Sequence, residues 1–300
     1  MKAARLHNYG NISNLKLDAI DEPSCRQNQI KVNIKATSIN HLDVWVRNGI
    51  NQSIKLPMII GSDGAGKIVE IGKDINKYKI GDKVLIQPGL FCKKCRYCLS
   101  GKQNYCIKYS VLGEDQDGTM ADFICLYEEN ICLMPNHLNF IEGASMPLVF
   151  MTAYQMLFKR ANIQTDDIVL IYGGSSGVGS AAIQIAKQAG AIVIATNGNL
   201  EKCNYSESLG ADYNINHNKG NMYEMIKQIT SGDGVDIVFE HIGKNTWQNS
   251  IKLLNKGGRI VTCGSTSGGN VSINLPHLFI KQQSILGSTM SDIPTFNNVI

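Results

Sequence analysis

The chain has 300 residues, 43% of them hydrophobic and 18% charged, with a formal net charge of +4; this is an ordinary globular composition, long enough for two domains. Lysines and arginines are scattered among acidic and apolar residues, which excludes the clustered basic footprint of a nucleic-acid binder. The opening MKAARLHNYG lacks the regions of a signal peptide and no apolar run reaches bilayer length, so the expectation is a cytoplasmic protein acting on a small molecule, without nucleic-acid or membrane partners.

Up to about residue 135, short β-branched runs alternate with glycine and polar turns, as in a folded antiparallel or barrel-like region. Such runs are Ile30 to Ile39, Gly66 to Gly72, Asp82 to Pro88 and Ala121 to Leu126, punctuated by Gly61, Gly64, Gly66, Gly72 and Gly81. Within this region FCKKCRYCLSGKQNYC sets Cys92, Cys95, Cys98 and Cys106 at C-x2-C-x2-C-x7-C spacing. Four thiolates close a tetrahedral zinc shell and leave no position for water, so the expected metal is one structural zinc that folds a loop without activating a substrate. An iron–sulfur cluster and a metal-free reduced lobe are the alternatives, since ligand softness alone does not exclude iron. The chain has nine cysteines; an odd number with four in one segment argues against a disulfide scaffold, and the other five read as buried thiols.

From about Met151 the pattern changes to short apolar strands alternating with amphipathic helices, the signature of parallel βαβ units. Strands are expected at Ile168 to Tyr172, Ile192 to Thr196, Tyr213 to Ile215, Val235 to Phe239, Arg259 to Cys263 and Ser284 to Gly287, which together make a doubly wound parallel six-stranded sheet of an α/β fold. The first strand runs into GGSSGVG, Gly173 to Gly179, and a helix expected over Val178 to Ala189 with Ser175 or Ser176 as its cap. In this reading Gly174 permits the tight turn, Gly179 permits close helix packing, and the helix start with Ser176, Gly177 and Val178 receives a pyrophosphate. Ser176 stands where the fingerprint has its middle glycine.

The second strand ends in Thr196, Asn197, Gly198 and Asn199, followed by Glu201 and Lys202. A carboxylate at the strand end would repel a 2′-phosphate, whereas neutral Asn197 with Lys202 nearby accommodates one. The expected cofactor is therefore NADP(H), with NAD(H) the other possibility, and Gly264 after the fifth strand is a further candidate contact.

A β-rich first region, a four-cysteine lobe at this place and a glycine-turn nucleotide domain together resemble the medium-chain dehydrogenase/reductase superfamily. The resemblance implies a GroES-like catalytic domain over residues 1–149 with its zinc lobe at about 91–107, and a Rossmann domain over 150–288. It also implies that residues 289–300 begin a return segment, most of which a truncated chain would lack. The alcohol-dehydrogenase branch holds a catalytic zinc on a cysteine, a histidine and a further cysteine or acid. At those places this chain has Asn40 in SINHLDVWVRNG, Ser62 in GSDGAG and Leu148 in PLVFMTAY, and leucine cannot ligate. Asn40, Asp43 and Arg47, with Gly61, Ser62 and Asp63 and the turn GGSSGVG, are similar instead to the quinone oxidoreductase and enoyl reductase branch, here retaining the zinc lobe. Trp45 stands where that branch often has a tyrosine.

The resemblance implies reduction of a carbon–carbon double bond conjugated to a carbonyl, with Asn40 orienting the nicotinamide or the substrate carbonyl and Thr152 contacting the nicotinamide region. Asp43 is either part of the catalytic set or a hydrogen-bonding brace for its loop. Alcohol oxidation or aldehyde reduction is the alternative, with His41 polarising the carbonyl; a nucleotide-binding protein without turnover is the third. A homodimer or homotetramer is expected, joined through an exposed sheet edge near Asn270 to Asn274.

Overall fold

β-Branched residues suit a pleated, half-buried surface, and the first part of the chain uses them in short antiparallel strands. The computed structural model describes residues 1–50, 52 and 54–300, which divide into two units: Met1–Met151 with Met290–Ile300, and Thr152–Thr289.

In the first unit the strands are β1 (Lys2–Leu6), β2 (Leu15–Ala19), β3 (Ile30–Ser38), β4 (Met58–Ile59), β5 (Asp63–Ile71), β6 (Lys83–Ile86), β7 (Gly89–Leu90), β8 (Ser110–Val111), β9 (Phe123–Leu126) and β10 (Ile131–Leu133). They form a five-stranded sheet in the order β10-β6-β5-β3-β9, a three-stranded sheet β2-β1-β4 and a pair β7-β8. Alternate residues Ile30 and Val32, with Ile68, Val84 and Ile86, are buried into one core cluster, as the period of two along a strand requires. The helices are α1 (His41–Arg47), α2 (Arg96–Leu99), α3 (Phe140–Ala144) and α4 (Pro147–Tyr154). This is the GroES-like β-rich domain. The run expected from Ala121 starts as a strand only at Phe123.

The second unit carries β11 (Ile168–Ile171), α5 (Gly177–Gln188), β12 (Ile192–Asn197), α6 (Leu200–Ser208), β13 (Tyr213–Asn216), α7 (Met222–Ile229), β14 (Val235–Glu240), α8 (Trp247–Leu253), β15 (Leu254–Thr262), α9 (Leu275–Ile280) and β16 (Ser284–Gly287). The strands are parallel, in the order β13-β12-β11-β14-β15-β16, so the expected Rossmann sheet is present. Leu170, Ile194, Val238 and Ile260 from neighbouring strands are fully buried, packed with Trp247 and Ile251 of α8. Such all-apolar strands are what a sheet covered on both faces needs.

Two expectations change. β15 begins at Leu254, five residues early, because Val235 pairs with Leu254 before an irregularity in the register. Residues 270–274 are not an edge strand: Gln248 Nε2 donates to the Ser272 carbonyl at 2.9 Å, and the Asn274 side chain caps α9 at the His277 amide. Side-chain hydrogen bonds of this kind compete with strand pairing, and the edges of the sheet are β13 and β16. After β16, Met290 and α10 (Ile293–Val299) belong to the first unit, where Met290 and Phe296 are buried with Val111 and Met151. Among the described residues no helix is long and apolar enough to cross a membrane.

Candidate active site

In the second unit β11 runs into the glycine turn. Gly173, at φ +58°, takes the left-handed conformation, so the tight turn is made there and not at Gly174 as expected. Gly174 is instead a packing glycine: a Cβ on it would stand 2.7 Å from Ser206 Oγ and 2.9 Å from Ala195 Cβ. A Cβ on Gly179 would lie 2.2 Å from the Gly173 carbonyl oxygen, so only glycine lets α5 start this close to the strand. Ser176 caps α5, its hydroxyl accepting from the Gly179 amide at 3.1 Å, while Gly177 and Val178 form the first turn of that helix with their amides at its positive end.

From the β12 side the turn is held by two further bonds. The Gly174 amide donates to the Thr196 carbonyl at 3.0 Å, and the Ser175 amide donates to Asn197 Oδ1, also at 3.0 Å. Asn197 is buried and donates its Nδ2 to Ser206 Oγ at 2.9 Å. Both ends of its amide are therefore engaged within the protein. Lys202 is exposed on α6, whose start is capped by Asn199. Near Gly198, where the second strand ends, lie His217 and Asn218, which periodicity did not single out because they follow a different strand.

Thr152 is buried and its hydroxyl has no hydrogen-bond partner. Buried hydroxyls are normally paired, so an orphan one fits a group that a ligand would supply. Gly264 is half-buried in the loop after β15, and its carbonyl accepts the Thr262 hydroxyl.

In the first unit Asn40 and Leu148, two of the three residues compared above with zinc-ligand places, are joined by one carboxylate. Asp63, fully buried, accepts the Leu148 amide on Oδ1 at 2.8 Å, and Asn40 Nδ2 at 2.8 Å and the Ser38 hydroxyl at 2.9 Å on Oδ2. Burial pushes its carboxyl up to about 6, against these hydrogen bonds and with help from the charge of Asp43. Ser62 turns the other way and donates to the Leu112 carbonyl. Asp43 is buried and accepts the Asn40 amide at 2.7 Å and the Gly61 amide at 3.1 Å; burial raises its carboxyl too. The geometry thus gives Asp43 the work of bracing residues 40 and 61. His41 is exposed, its ring edge-on to Trp45, and no bond brings it into the Asp63 cluster. The signal for this hub was present in GSDGAG, but its three donors come from two other stretches of chain, Ser38 and Asn40 in one and Leu148 in the other.

The four cysteines of the lobe place their sulfurs within 4.8 Å of one another. Cys95 and Cys98 sulfurs are 3.5 Å apart and Cys92 and Cys98 4.0 Å, close to the ~3.8 Å edge of a tetrahedron with zinc–sulfur bonds of ~2.3 Å. Backbone amides, that of Cys98 foremost, pull the Cys95 thiol down to about 6, and that of Lys94 foremost lowers Cys92, whereas burial pushes Cys98 up to about 12. A bound dication would let the buried member lose its proton. The Cys92 and Lys108 amides point at Cys106 Sγ, each at 3.3 Å. The donor set fits a closed zinc site.

Residues 177–300 match the family model described as zinc-binding dehydrogenase, and residues 26–136 match that of the alcohol dehydrogenase GroES-like domain. The NAD-dependent alcohol dehydrogenase of Sulfolobus acidocaldarius is 32% identical over 285 residues, 92% of this chain and 80% of that protein. The quinone oxidoreductase of Mus musculus is 31% identical over 296 residues, 97% of this chain and 81% of that protein. A crystal structure of an NAD-dependent alcohol dehydrogenase superposes with a TM-score of 0.96 at 37% identity, covering 100% of this chain and 88% of the other.

Proposed function

This chain belongs to the medium-chain dehydrogenase/reductase superfamily of NAD(P)-dependent oxidoreductases, and we propose from that premise that it reduces the carbon–carbon double bond of an α,β-unsaturated carbonyl compound without a catalytic zinc. The observation that carries the reading is the Asp63 hub. At the three ligand places stand an amide engaged with a carboxylate, a hydroxyl engaged with a carbonyl and a leucine whose backbone amide is engaged too. Such a set offers no ligand triad for an open zinc.

When bound, reduced nicotinamide would supply the hydride for the β-carbon of the substrate and be left oxidised, with the balancing proton coming from solvent. Asp63 fixes the Asn40 amide, and Asn40 in turn orients the nicotinamide or the substrate carbonyl. Asp43 keeps residues 40 and 61 in register, so the orienting amide needs no rearrangement when a ligand arrives. The turn Gly173–Gly179 and the start of α5 hold the pyrophosphate, and Thr152 gives its unpaired hydroxyl to the nicotinamide end. Cys92, Cys95, Cys98 and Cys106 would hold one structural zinc, which would supply loop order only.

NADP(H) is the preferred dinucleotide in this reading. Its support is the neutral, internally engaged Asn197 and the exposed Lys202, since no carboxylate ends β12 to repel a 2′-phosphate. The two similar alcohol dehydrogenases are named as NAD-dependent, which makes both dinucleotides necessary in any assay.

The test is consumption of NADPH and NADH with 2-alkenals, quinones, acryloyl and crotonyl thioesters, and simple aldehydes. Turnover of the conjugated substrates, with saturated aldehydes inert, is the expected result. Turnover confined to aldehydes would replace the proposal with carbonyl reduction, and binding without consumption across the panel would replace it with a nucleotide-binding role.

A further inference from the structure

In a doubly wound sheet the ligand crevice opens at the carboxyl ends of the strands where the chain order reverses. Here that point lies between β11 and β14, neighbours in the sheet though not in sequence. One wall is the glycine turn after β11. The other is the end of β14 at Glu240 with the loop that follows it from His241.

Glu240 is fully buried, and its carboxylate is wrapped by the loop that follows it and by Ser250 of α8. It accepts the Ile242 amide at 2.7 Å, the Gly243 amide at 3.0 Å, the Thr246 hydroxyl at 2.9 Å and the Ser250 hydroxyl at 2.9 Å. A buried carboxylate with this many donors fixes the backbone around it, because releasing any donor leaves a buried polar group unpaired. His241, the next residue, reaches across to β11. Its Nε2 lies 2.7 Å from the carbonyl oxygen of Tyr172, the last residue before the turn, so Nε2 carries the hydrogen. The Tyr172 hydroxyl is 3.2 Å from Ser250 Oγ, itself on Glu240. Tyr172 is therefore gripped at both ends from the β14 side. The imidazole also lies along Gly173, where a Cβ would stand 3.3 Å from its Cε1. Thr196 and Asn197 hold the same turn from the β12 side, so the turn is bracketed.

We propose that His241, set in place by Glu240, is a positioning residue for the dinucleotide: it holds the end of β11 so that the amides of the turn meet the pyrophosphate. Its effect is on cofactor affinity, not on the chemical step. The inference rests on the assignment of the turn as the dinucleotide site, and is independent of which substrate is reduced.

The experiment measures dissociation constants for NADPH and NADH by fluorescence titration of the full chain. The proteins are wild type, His241→Leu, His241→Gln and Thr246→Val, each with its melting temperature without cofactor. Leucine fills the space of the ring but has no N–H; glutamine restores a side-chain N–H at similar reach. His241→Leu is expected to weaken both dinucleotides about tenfold, with kcat at saturating cofactor within about twofold of wild type. His241→Gln recovers most of the loss, and Thr246→Val, which removes one donor from Glu240, shows a smaller loss in the same direction. Wild-type affinity in a folded His241→Leu, or a loss that glutamine does not recover, overturns the clamp alone. A wild-type protein that binds neither dinucleotide overturns the assignment of the turn and the clamp with it.

Discussion

Replacing Asp63 by asparagine separates two forces that act on the hub of the first unit. Asp63 is fully buried, and burial pushes its carboxyl from the unfolded value of 3.8 up to about 6. A carboxyl whose folded value lies above its unfolded one contributes most below pH 3.8 and loses that contribution as pH rises through 6, because the folded state must then bury a charge. The full cost is about 3 kcal/mol, of which about 1.4 kcal/mol develops between pH 5 and pH 8. Asparagine is nearly isosteric and does not titrate. Its amide nitrogen would, however, face Asn40 Nδ2 and the Ser38 hydroxyl, both donors to Oδ2 in the native protein; a buried mismatch of this kind costs about 1–3 kcal/mol. Whatever the size of that mismatch, Asp63→Asn is thus expected to gain about 1.4 kcal/mol of stability relative to the wild type between pH 5 and pH 8. Asp43 titrates in both proteins, so its contribution largely leaves the difference. Denaturant unfolding of the pair at the two pH values measures the change directly. A stability difference that does not move with pH would mean that the three donors outweigh burial and that Asp63 ionises in its ordinary range, refuting the reasoning.

Thr152→Val removes a buried hydroxyl that has no partner in the protein, so the cofactor-free protein should keep its stability or gain up to about 1 kcal/mol. Dinucleotide affinity should fall at the same time; calorimetry and titration on one preparation give both numbers. Lys202→Ala should raise the KM for NADPH about tenfold, equivalent to about 1.4 kcal/mol, and leave that for NADH unchanged, as initial rates with each dinucleotide will show.

Much of the second unit was readable because its strands are buried on both faces, so apolar runs and glycines mark them to within a residue or two; β11, β12, β14 and β16 lie where periodicity puts them. β15 starts early because Leu254 pairs ahead of a register shift that leaves no mark in composition. The cysteine lobe was legible from spacing alone, since its ligands are local. Local sequence was less informative where long-range hydrogen bonds decide. Val271 and Ile273 look like strand residues, yet Gln248 claims the Ser272 carbonyl between them and Asn274 turns to cap α9. Gly174 looked like the turn glycine, but the positive φ falls at Gly173, and only the approach of Ser206 and Ala195 explains why residue 174 has no side chain. Asp63 is singled out only through the resemblance carried by GSDGAG, and Glu240 by nothing in the sequence. Their donors lie on other elements or further along the loop, which a linear pattern does not reveal.

The division between a structural metal and a zinc-free reduction is tested most directly by the zinc content of protein that is turning over NADPH or NADH. About one zinc per chain, lost only when the thiols of Cys92, Cys95, Cys98 and Cys106 are displaced and the lobe unfolds, is the result expected. A second zinc per chain, whose selective removal abolishes turnover while the fold persists, would contradict the account.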